Sequence, residues 1–203
     1  MTEWWTYRIA DFKLFSARTY IRLFERYNHD VWPLHVFALI IGVLIIIFTI
    51  RSRPRVVAPL LAAVWIWVAY AFLWKRFATI QTAATWFAIA FVIQALLILW
   101  RLSRPALPRV RAVGVAVAMF AVAIEPLVHW MAGRIEVFGI TPDPTVVATM
   151  GIALALGSRV LLAIPLLWCA VTGATLWELH TLDALTVPII GAFVLLLSMK
   201  VPK

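Results

Sequence analysis

The chain has 203 residues, of which 65% are hydrophobic and 13% are charged, and its mean hydropathy is +0.98. This composition leaves too little polar surface for a water-soluble domain, so the sequence predicts an all-α, polytopic membrane protein. The net charge of +9 comes largely from arginines between apolar runs, which is typical of membrane proteins and does not indicate nucleic acid as a partner. The single cysteine, Cys169, lies inside an apolar run, where we interpret it as a packing residue.

Residues 1–31 are predicted to form an N-terminal interfacial segment, and residues 32–203 a transmembrane helical bundle. Ser16 is a good N-cap for a helix whose apolar stripe comprises Tyr20, Leu23, Phe24, Tyr27 and Val31. We expect this helix to lie in the lipid headgroup region, with further aromatic anchors at Trp4, Trp5 and Phe12. Contact of the stripe with a partner protein is the alternative interpretation.

Seven apolar runs predict membrane spans at about 32–50, 56–74, 83–100, 110–131, 144–156, 160–177 and 182–198. The fifth run would reach only roughly 20 Å across a core of about 30 Å. We separate it from the sixth at Gly157-Ser158-Arg159, because one helix through both would be about 50 Å long, too long even when tilted. Six spans, with the fifth run re-entrant, is the alternative.

Ionisable residues divide between the two sides of the predicted bundle. One side carries ten basic loop residues and no acid: Arg51, Arg53, Arg55, Arg101, Arg104, Arg109, Arg111, Arg159, Lys200 and Lys203. The other side receives the loop acids and the histidines: Glu136, Asp143, Glu178, Asp183, His29, His35, His129 and His180. The positive-inside rule places the arginine-rich side and the C-terminus in the cytoplasm and the N-terminus in the periplasm. Tryptophans at the opposite, outer ends of spans fit an aromatic belt: Trp32, Trp74, Trp130 and Trp177.

Glu125 is the acid that lies deepest within an apolar run, roughly 9 Å inside the outer end of the fourth span. A carboxylate at that depth is costly, so it should face protein or water and is a candidate functional residue. Pro126 removes one helical hydrogen bond near Val122, and His129 stands one turn further on the same face. A carboxylate and an imidazole so spaced can relay protons or bind a cation; a structural hydrogen bond between helices is the alternative.

His35, His180 and Asp183 complete the candidate polar pocket, together with Glu125 and His129. No H-x-x-x-H or H-E-x-x-H spacing occurs, so a metal site would need ligands from separate helices, and no cofactor is predicted. Asp143 is interpreted as the N-cap of the fifth span, with Pro144 at its first helical position. Small residues are predicted to form helix-packing faces, namely Gly114 with Ala118 and Gly151 with Ala155.

Three stretches resemble a bacterial family of small multi-span proteins of unknown function. They are Trp32-Pro33, residues 77–84 (FATIQTAA) and residues 139–145 (GITPDPT), and the resemblance covers most of the chain from about Tyr20. In the family pattern a cysteine often stands between the two prolines, where this chain has Asp143. The resemblance implies an inner-membrane fold and carries over no functional residue.

These observations favour a small permease-like inner-membrane protein that handles a cation, a proton or a small solute through the periplasm-facing pocket. The alternative is a non-catalytic accessory or assembly subunit of a larger membrane complex. No catalytic motif occurs in the chain, so an enzyme is not predicted. The expected neighbours are the lipid bilayer and either a membrane-protein partner or a second copy of the chain.

Overall fold

The computed structural model describes residues 16–102, 111–131, 133–181 and 183–199, and all regular secondary structure in those ranges is helical. The α-helices are α1 (Ala17–Val31), α2 (Leu34–Ile50), α3 (Pro54–Trp67), α4 (Ala84–Arg101), α5 (Arg111–Met119), α6 (Glu125–Met131), α7 (Pro142–Ala155), α8 (Ala163–Glu178) and α9 (Thr186–Met199). Helix α3 continues as a π-helix, Val68–Trp74, and a second π-helical segment, Phe120–Ile124, joins α5 to α6. The all-α class is therefore confirmed for these residues; Trp4, Trp5 and Phe12 lie outside them.

Within the described residues, four helical segments are long enough and apolar enough to cross a membrane: Pro54–Thr79, Ala84–Arg101, Arg111–Met131 and Arg159–Glu178. Helices α1 and α2 satisfy the same criteria only together, and they are bent by 88° at the break between them. Counting that pair as one span raises the number to five. The remaining two of the seven predicted spans correspond to α7 and α9, which have only 14 residues each.

Helix α7 lies in the interior of the bundle, and every one of its residues is buried. Its closest neighbour is α5, where Gly114 and Ala118 meet Gly151 and Ala155. The spacing of these small residues predicted a packing face on each helix, and the structure shows that the two faces contact each other. A Cβ atom built on Gly151 would lie 2.5 Å from the carbonyl oxygen of Gly114, so glycine is what allows the two backbones to approach. The helix is short because it is enclosed by protein and does not have to match the thickness of the lipid core.

The break predicted between the fifth and sixth runs is confirmed. Gly157 adopts a left-handed backbone conformation, with φ of +70°, and the amide of Ser158 donates to the carbonyl of Ala153. This is how helices commonly end at glycine. A single 3₁₀ turn, Arg159–Leu162, then leads into α8. The side-chain amide of Gln94 on α4 donates to the carbonyl of Leu161 at 2.9 Å and fixes this turn against α4.

The predicted stripe of α1 faces the protein, and the expectation that it contacts lipid headgroups is wrong for its central residues. Tyr20, Phe24 and Tyr27 are buried. Phe24 and Tyr27 pack against Phe72 at ring-centroid distances of 5.1 and 5.3 Å, and the phenol of Tyr27 donates to the carbonyl of Ile140 at 3.1 Å. The chain's own aromatic residues supply the apolar surface that the sequence pattern assigned to the membrane. Ser16 is the N-cap, and its hydroxyl accepts from the amide of Thr19.

The tryptophans predicted to form an aromatic belt are exposed at helix ends. Trp32, Trp74, Trp130 and Trp177 are each more than half exposed, whereas Trp65 and Trp168 are buried. Such an arrangement suits amphipathic rings at a membrane–water boundary.

Candidate functional site

Glu125 and His129 stand one turn apart on α6 and are both fully buried. His129 Nε2 lies 3.4 Å from Glu125 Oε1, while Glu125 Oε2 has no hydrogen-bond partner among the described residues. The segment directly before Glu125 is π-helical, so the amide of Glu125 donates to the carbonyl of Phe120, five residues back, and Pro126 has no amide hydrogen to continue the ladder. Proline and the local change of helical pitch together set the direction in which Glu125 leaves the helix, and π-helical turns of this kind often accompany functional sites.

The connection between α6 and α7 places Arg134 and Glu136 beside His129. Gly133 has φ of +81°, and the amide of Arg134 donates to the carbonyl of His129 at 2.9 Å, so the chain folds back at the end of α6. Arg134 Nε donates to Glu136 Oε1 at 2.9 Å, and Arg134 Nη2 lies 3.2 Å from His129 Nδ1. Both charged side chains are buried.

Asp183, just before α9, completes the network of His129, Arg134 and Glu136. Its Oδ2 accepts from Arg134 Nη2 at 2.5 Å and lies 3.0 Å from His129 Nδ1. Burial alone would raise the pKa of the Asp183 carboxyl, but contacts with His129 and Arg134 hold that pKa well below its ordinary value. Asp183 is therefore ionised throughout the physiological range. We call Glu125, His129, Arg134, Glu136 and Asp183 the buried polar cluster.

Asp143 is a buried acceptor, and its interpretation as a helix N-cap is wrong. Helix α7 begins two residues earlier than predicted, with Thr141 as N-cap and Pro142 as the first helical residue. The carboxylate of Asp143 instead points into the bundle, where Oδ1 accepts from Trp168 Nε1 at 2.6 Å and Oδ2 from Thr172 Oγ1 at 3.0 Å. The first turn of α7 is thus fixed to α8 by two hydrogen bonds to an acid that is 2% exposed.

Helix α1 covers the buried polar cluster on the predicted outer side. The guanidinium carbon of Arg134 lies 5.6 Å from the ring centroid of Tyr20 and 5.9 Å from that of Phe24, within the range of cation–π interactions. Asn28 Nδ2 donates to the carbonyl of Ile135 at 2.8 Å. Through these contacts the N-terminal helix separates the cluster from the surface.

The structure brings three of the predicted pocket residues together and leaves two apart. Glu125, His129 and Asp183 form one chain of contacts. In the described part of the protein, His35 Nε2 pairs with Asn28 Oδ1 at 2.8 Å, outside the cluster's hydrogen bonds. His180 is exposed in the turn after α8, with φ of +54°.

Three side chains in this region are close enough to share a metal ion. One ligand atom from each of His129, Glu136 and Asp143 lies within 4.8 Å of the other two. However, the Arg134 guanidinium already contacts His129 and Glu136, and a fixed cation there opposes binding of a second one. Two of these residues, Glu136 and Asp143, were not among the predicted pocket residues.

Sequence reasoning missed Arg134, Glu136 and Asp143 as site residues because it used the charges of this connection only as loop charges that indicate topology, and Asp143 as a helix N-cap. The hydropathy of the connection could have identified them, because the residues between these charges include Val137, Phe138 and Ile140. Apolar side chains between the charges of a connection indicate that the connection is buried, and buried charges must be paired.

No curated protein and no solved structure matches the chain. One family does match, in agreement with the resemblance to uncharacterised proteins that the sequence motifs carry. The chain belongs to the DUF6064 family, a family of unknown function, whose model matches residues 17–202.

Proposed function

We propose that the chain is an integral inner-membrane protein that handles a proton or a small monovalent cation through the buried polar cluster, as a small permease does. The observation that carries the proposal is the position of the His129 imidazole between two carboxylates. Its Nδ1 lies 3.0 Å from Asp183 and its Nε2 lies 3.4 Å from Glu125. An imidazole can accept a proton at one ring nitrogen and release one from the other, so this geometry suits a relay between the outer face and membrane depth.

The imidazole of His129 has two hydrogen-bonding arrangements, which differ in the ring nitrogen that carries the proton. When Arg134 Nη2 donates to His129 Nδ1, the ring proton is on Nε2 and faces Glu125. When Nδ1 carries the proton, it faces Asp183 and Nε2 is free to accept from a protonated Glu125. Passage of a proton through the ring converts one arrangement into the other.

The balance of buried charge also supports proton or cation uptake. Glu125, Glu136, Asp143 and Asp183 contribute four buried carboxyl groups, against the guanidinium of Arg134 and the imidazole of His129. Even with His129 protonated, two carboxyl groups have no fixed positive charge among the described side chains of the cluster to balance them. Buried carboxylates without such balance are costly, so they take up protons or attract cations. The contact of Arg134 with two of the three candidate metal ligands favours a proton over a divalent metal.

The topology that we propose has seven crossings, with the N-terminus in the periplasm and the C-terminus in the cytoplasm. Helices α2, α3, α4, the α5–α6 unit, α7, α8 and α9 would cross in turn, with α7 enclosed by the others. The arginines of the α2–α3 connection and Arg159 support a cytoplasmic position for that end. The exposed tryptophans support an interfacial position for the opposite end.

The proposal is tested by proton flux into proteoliposomes that contain an internal pH-sensitive dye. We expect Glu125→Gln to lower the proton flux at least tenfold. The amide keeps the shape of the carboxyl group but does not take up or release a proton near neutral pH. Glu25→Gln is the matched control, since Glu25 is exposed on α1, and it should leave the flux unchanged. Flux that persists in a correctly inserted Glu125→Gln protein would remove Glu125 from the pathway.

The second candidate function is a non-catalytic accessory or assembly subunit of a larger membrane complex. It is favoured by the enclosure of the cluster, because its side chains are at most 5% exposed and pair mainly with one another. In that case the cluster would serve to hold α6, the α6–α7 connection and the start of α9 together. Affinity purification after mild solubilisation separates the two functions, since a stoichiometric complex together with unchanged flux in Glu125→Gln supports the accessory role.

A further inference from the structure

A strongly basic groove lies between α1 and the connection from α3 to α4. It has a volume of about 320 Å³, and no acidic side chain lines it. Its polar lining comprises Arg22 and Arg26 on α1, Lys75, Arg76 and Thr79 on the connection, and Thr19. Asp30 pairs with Arg76 at 2.8 Å, which leaves the other three cations without an ion pair to a described acid. A groove of this charge and size suits a phosphate group.

An apolar groove begins beside it and runs down the outside of the bundle between α3 and α4. It has a volume of about 300 Å³ and is lined mainly by Ile66, Tyr70, Trp74, Ile89 and Ile93. The ammonium group of Lys75 lies 5.0 Å from the centre of the Tyr70 ring, so the two grooves meet at this pair. From Trp74 to Ile66 the groove follows the helix for roughly 12 Å, a length that suits part of an acyl chain.

The exposed aromatic residues beside these grooves place their junction at the membrane boundary. Tyr70, Trp74 and Trp86 are each more than half exposed. Such rings are favoured at the level of the headgroups, where a phospholipid presents its phosphate above and its acyl chains below. The basic groove is on the headgroup side of these rings, and the apolar groove is on the acyl side.

We propose that the two grooves form one binding site for an anionic phospholipid of the outer leaflet. Its phosphate lies among Arg22, Arg26 and Lys75, and one acyl chain lies between α3 and α4. Since the basic groove is formed by α1 on one side and by the α3–α4 connection on the other, a bound lipid holds α1 over the buried polar cluster. None of these residues belongs to that cluster, so lipid binding does not depend on proton transport; only the choice of the outer leaflet rests on the topology proposed above.

The headgroup half of the site is tested with a photoreactive phosphatidylglycerol whose acyl chain carries the cross-linking group. With the full-length protein in nanodiscs, we expect cross-links concentrated in the peptides that contain residues 66–93. The combined variant Arg22→Gln, Arg26→Gln and Lys75→Gln should reduce their yield at least fivefold. Arg76 is left unchanged because it is paired with Asp30.

Two comparisons establish that the headgroup matters. The combined variant Arg51→Gln, Arg53→Gln and Arg55→Gln removes the same charge at the opposite end of the bundle. Its cross-linking yield should stay within twofold of that of the natural protein. Photoreactive phosphatidylcholine should cross-link at least fivefold less than the anionic lipid. Equal labelling by the two lipids, or an equal loss in the two charge variants, would overturn the proposal.

The acyl half is tested from exposed positions, so that folding is preserved. Ile93→Trp fills the apolar groove and should reduce cross-linking at least fivefold, whereas Leu96→Trp, on the same helix but outside the groove, should not. Unchanged cross-linking in Ile93→Trp would contradict the acyl placement. Glycerol 3-phosphate provides the last comparison: competition at concentrations similar to those of the lipid would mean that the groove takes a free phosphate, against a lipid site.

Discussion

The imidazole of His129 touches every other charged side chain of the buried polar cluster. It contacts Glu125 on its own helix, Arg134 and Glu136 on the α6–α7 connection, and Asp183 before α9. Two neighbouring segments, α6 and the α6–α7 connection, and one distant segment, the start of α9, therefore depend on one ring. Buried ions without partners are costly, so removal of any one member should destabilise the others. The effects of substitutions within the cluster on stability should therefore not be additive.

Asp183 provides the residue-scale prediction. Its pKa in the folded protein is below its ordinary value, so ionisation stabilises the fold above roughly pH 4, and this stabilisation is lost as the pH falls through the folded-state pKa. Asp183→Asn should cost about 3 kcal/mol at pH 7, because it leaves the Arg134 guanidinium with one fewer anionic partner. Thermal unfolding in detergent at a series of pH values measures this, and the difference in Tm between the two proteins should narrow below pH 4.

Asp30→Asn is the control for this experiment. Asp30 forms a partly exposed ion pair with Arg76, and such pairs contribute about 1 kcal/mol or less. A Tm for Asp183→Asn at pH 7 equal to that of the natural protein would show that the cluster does not depend on this carboxylate.

At the scale of elements, α7 determines the architecture of the interior. It is buried on all sides and contacts α2, α3, α5, α8 and α9. Its polar residues pair with neighbouring helices, since Asp143 accepts from α8 and the hydroxyl of Thr149 accepts from Trp65 Nε1 at 2.8 Å. The first turn of α7 lies beside the buried polar cluster, so the packing of α7 also positions the site.

The element-scale prediction concerns the close contact of α7 with α5. Gly151→Ala would place a methyl group 2.5 Å from Gly114 O and 2.6 Å from the amide nitrogen of Ala118, both backbone atoms. The helices must then separate, and we expect a loss of about 1–3 kcal/mol in the free energy of unfolding. Ala116→Val is the control, because it adds carbon atoms at an exposed position of α5. It should change the free energy of unfolding by about 0.5 kcal/mol or less. Equal Tm values for the two variants in the same detergent would contradict this close packing.

At the scale of the whole molecule, the two ends of the bundle differ in their exposed side chains, although basic residues occur at both, since Arg22, Arg26 and Lys75 line the groove at the tryptophan-bearing end. Exposed arginines stand at the α2–α3 connection, and exposed tryptophans stand at the far ends of α3, α6 and α8. The cluster lies near the tryptophan-bearing end. The proposed orientation therefore places it nearer to the periplasm than to the cytoplasm.

Cysteine labelling tests this orientation. The native Cys169 is buried, so single cysteines can be added at the two ends of the span Pro54–Thr79. We expect Thr79→Cys to react with a membrane-impermeant maleimide in intact cells, and Arg53→Cys to react only after the membrane is opened. The unsubstituted protein is the control and should stay unlabelled. The reverse pattern would invert the topology, and labelling of both sites in intact cells would mean that this segment does not cross.

Several features could be predicted from the sequence because they depend on local composition. The helical class follows from the length and hydropathy of the apolar runs, and the end of α7 follows from Gly157. Glu125 was identified because a carboxylate inside an apolar run is costly wherever the helix lies. The small-residue faces of α5 and α7 were predicted because they also depend on local spacing, whereas their contact with each other was not.

Tertiary structure alone decided which charges are buried and what the amphipathic surfaces contact. Periodicity identifies an apolar face but not its partner, so the stripe of α1 was assigned to lipid although Phe72 and the α6–α7 connection cover it. An acid beside a proline has the same local pattern whether it caps a helix or points inward, and only the position of α8 determined that Asp143 binds Trp168 and Thr172. The sequence by itself determined the helices and the one acid placed at depth. Asp183 was assigned to the candidate pocket by its predicted side of the membrane, but long-range packing alone decided that it pairs with His129 and Arg134. Arg134 and Glu136 are close to His129 in the sequence, but packing against α1 and the start of α9 decided that they are buried. Contacts between segments so far apart in the sequence leave no local pattern that names the partner.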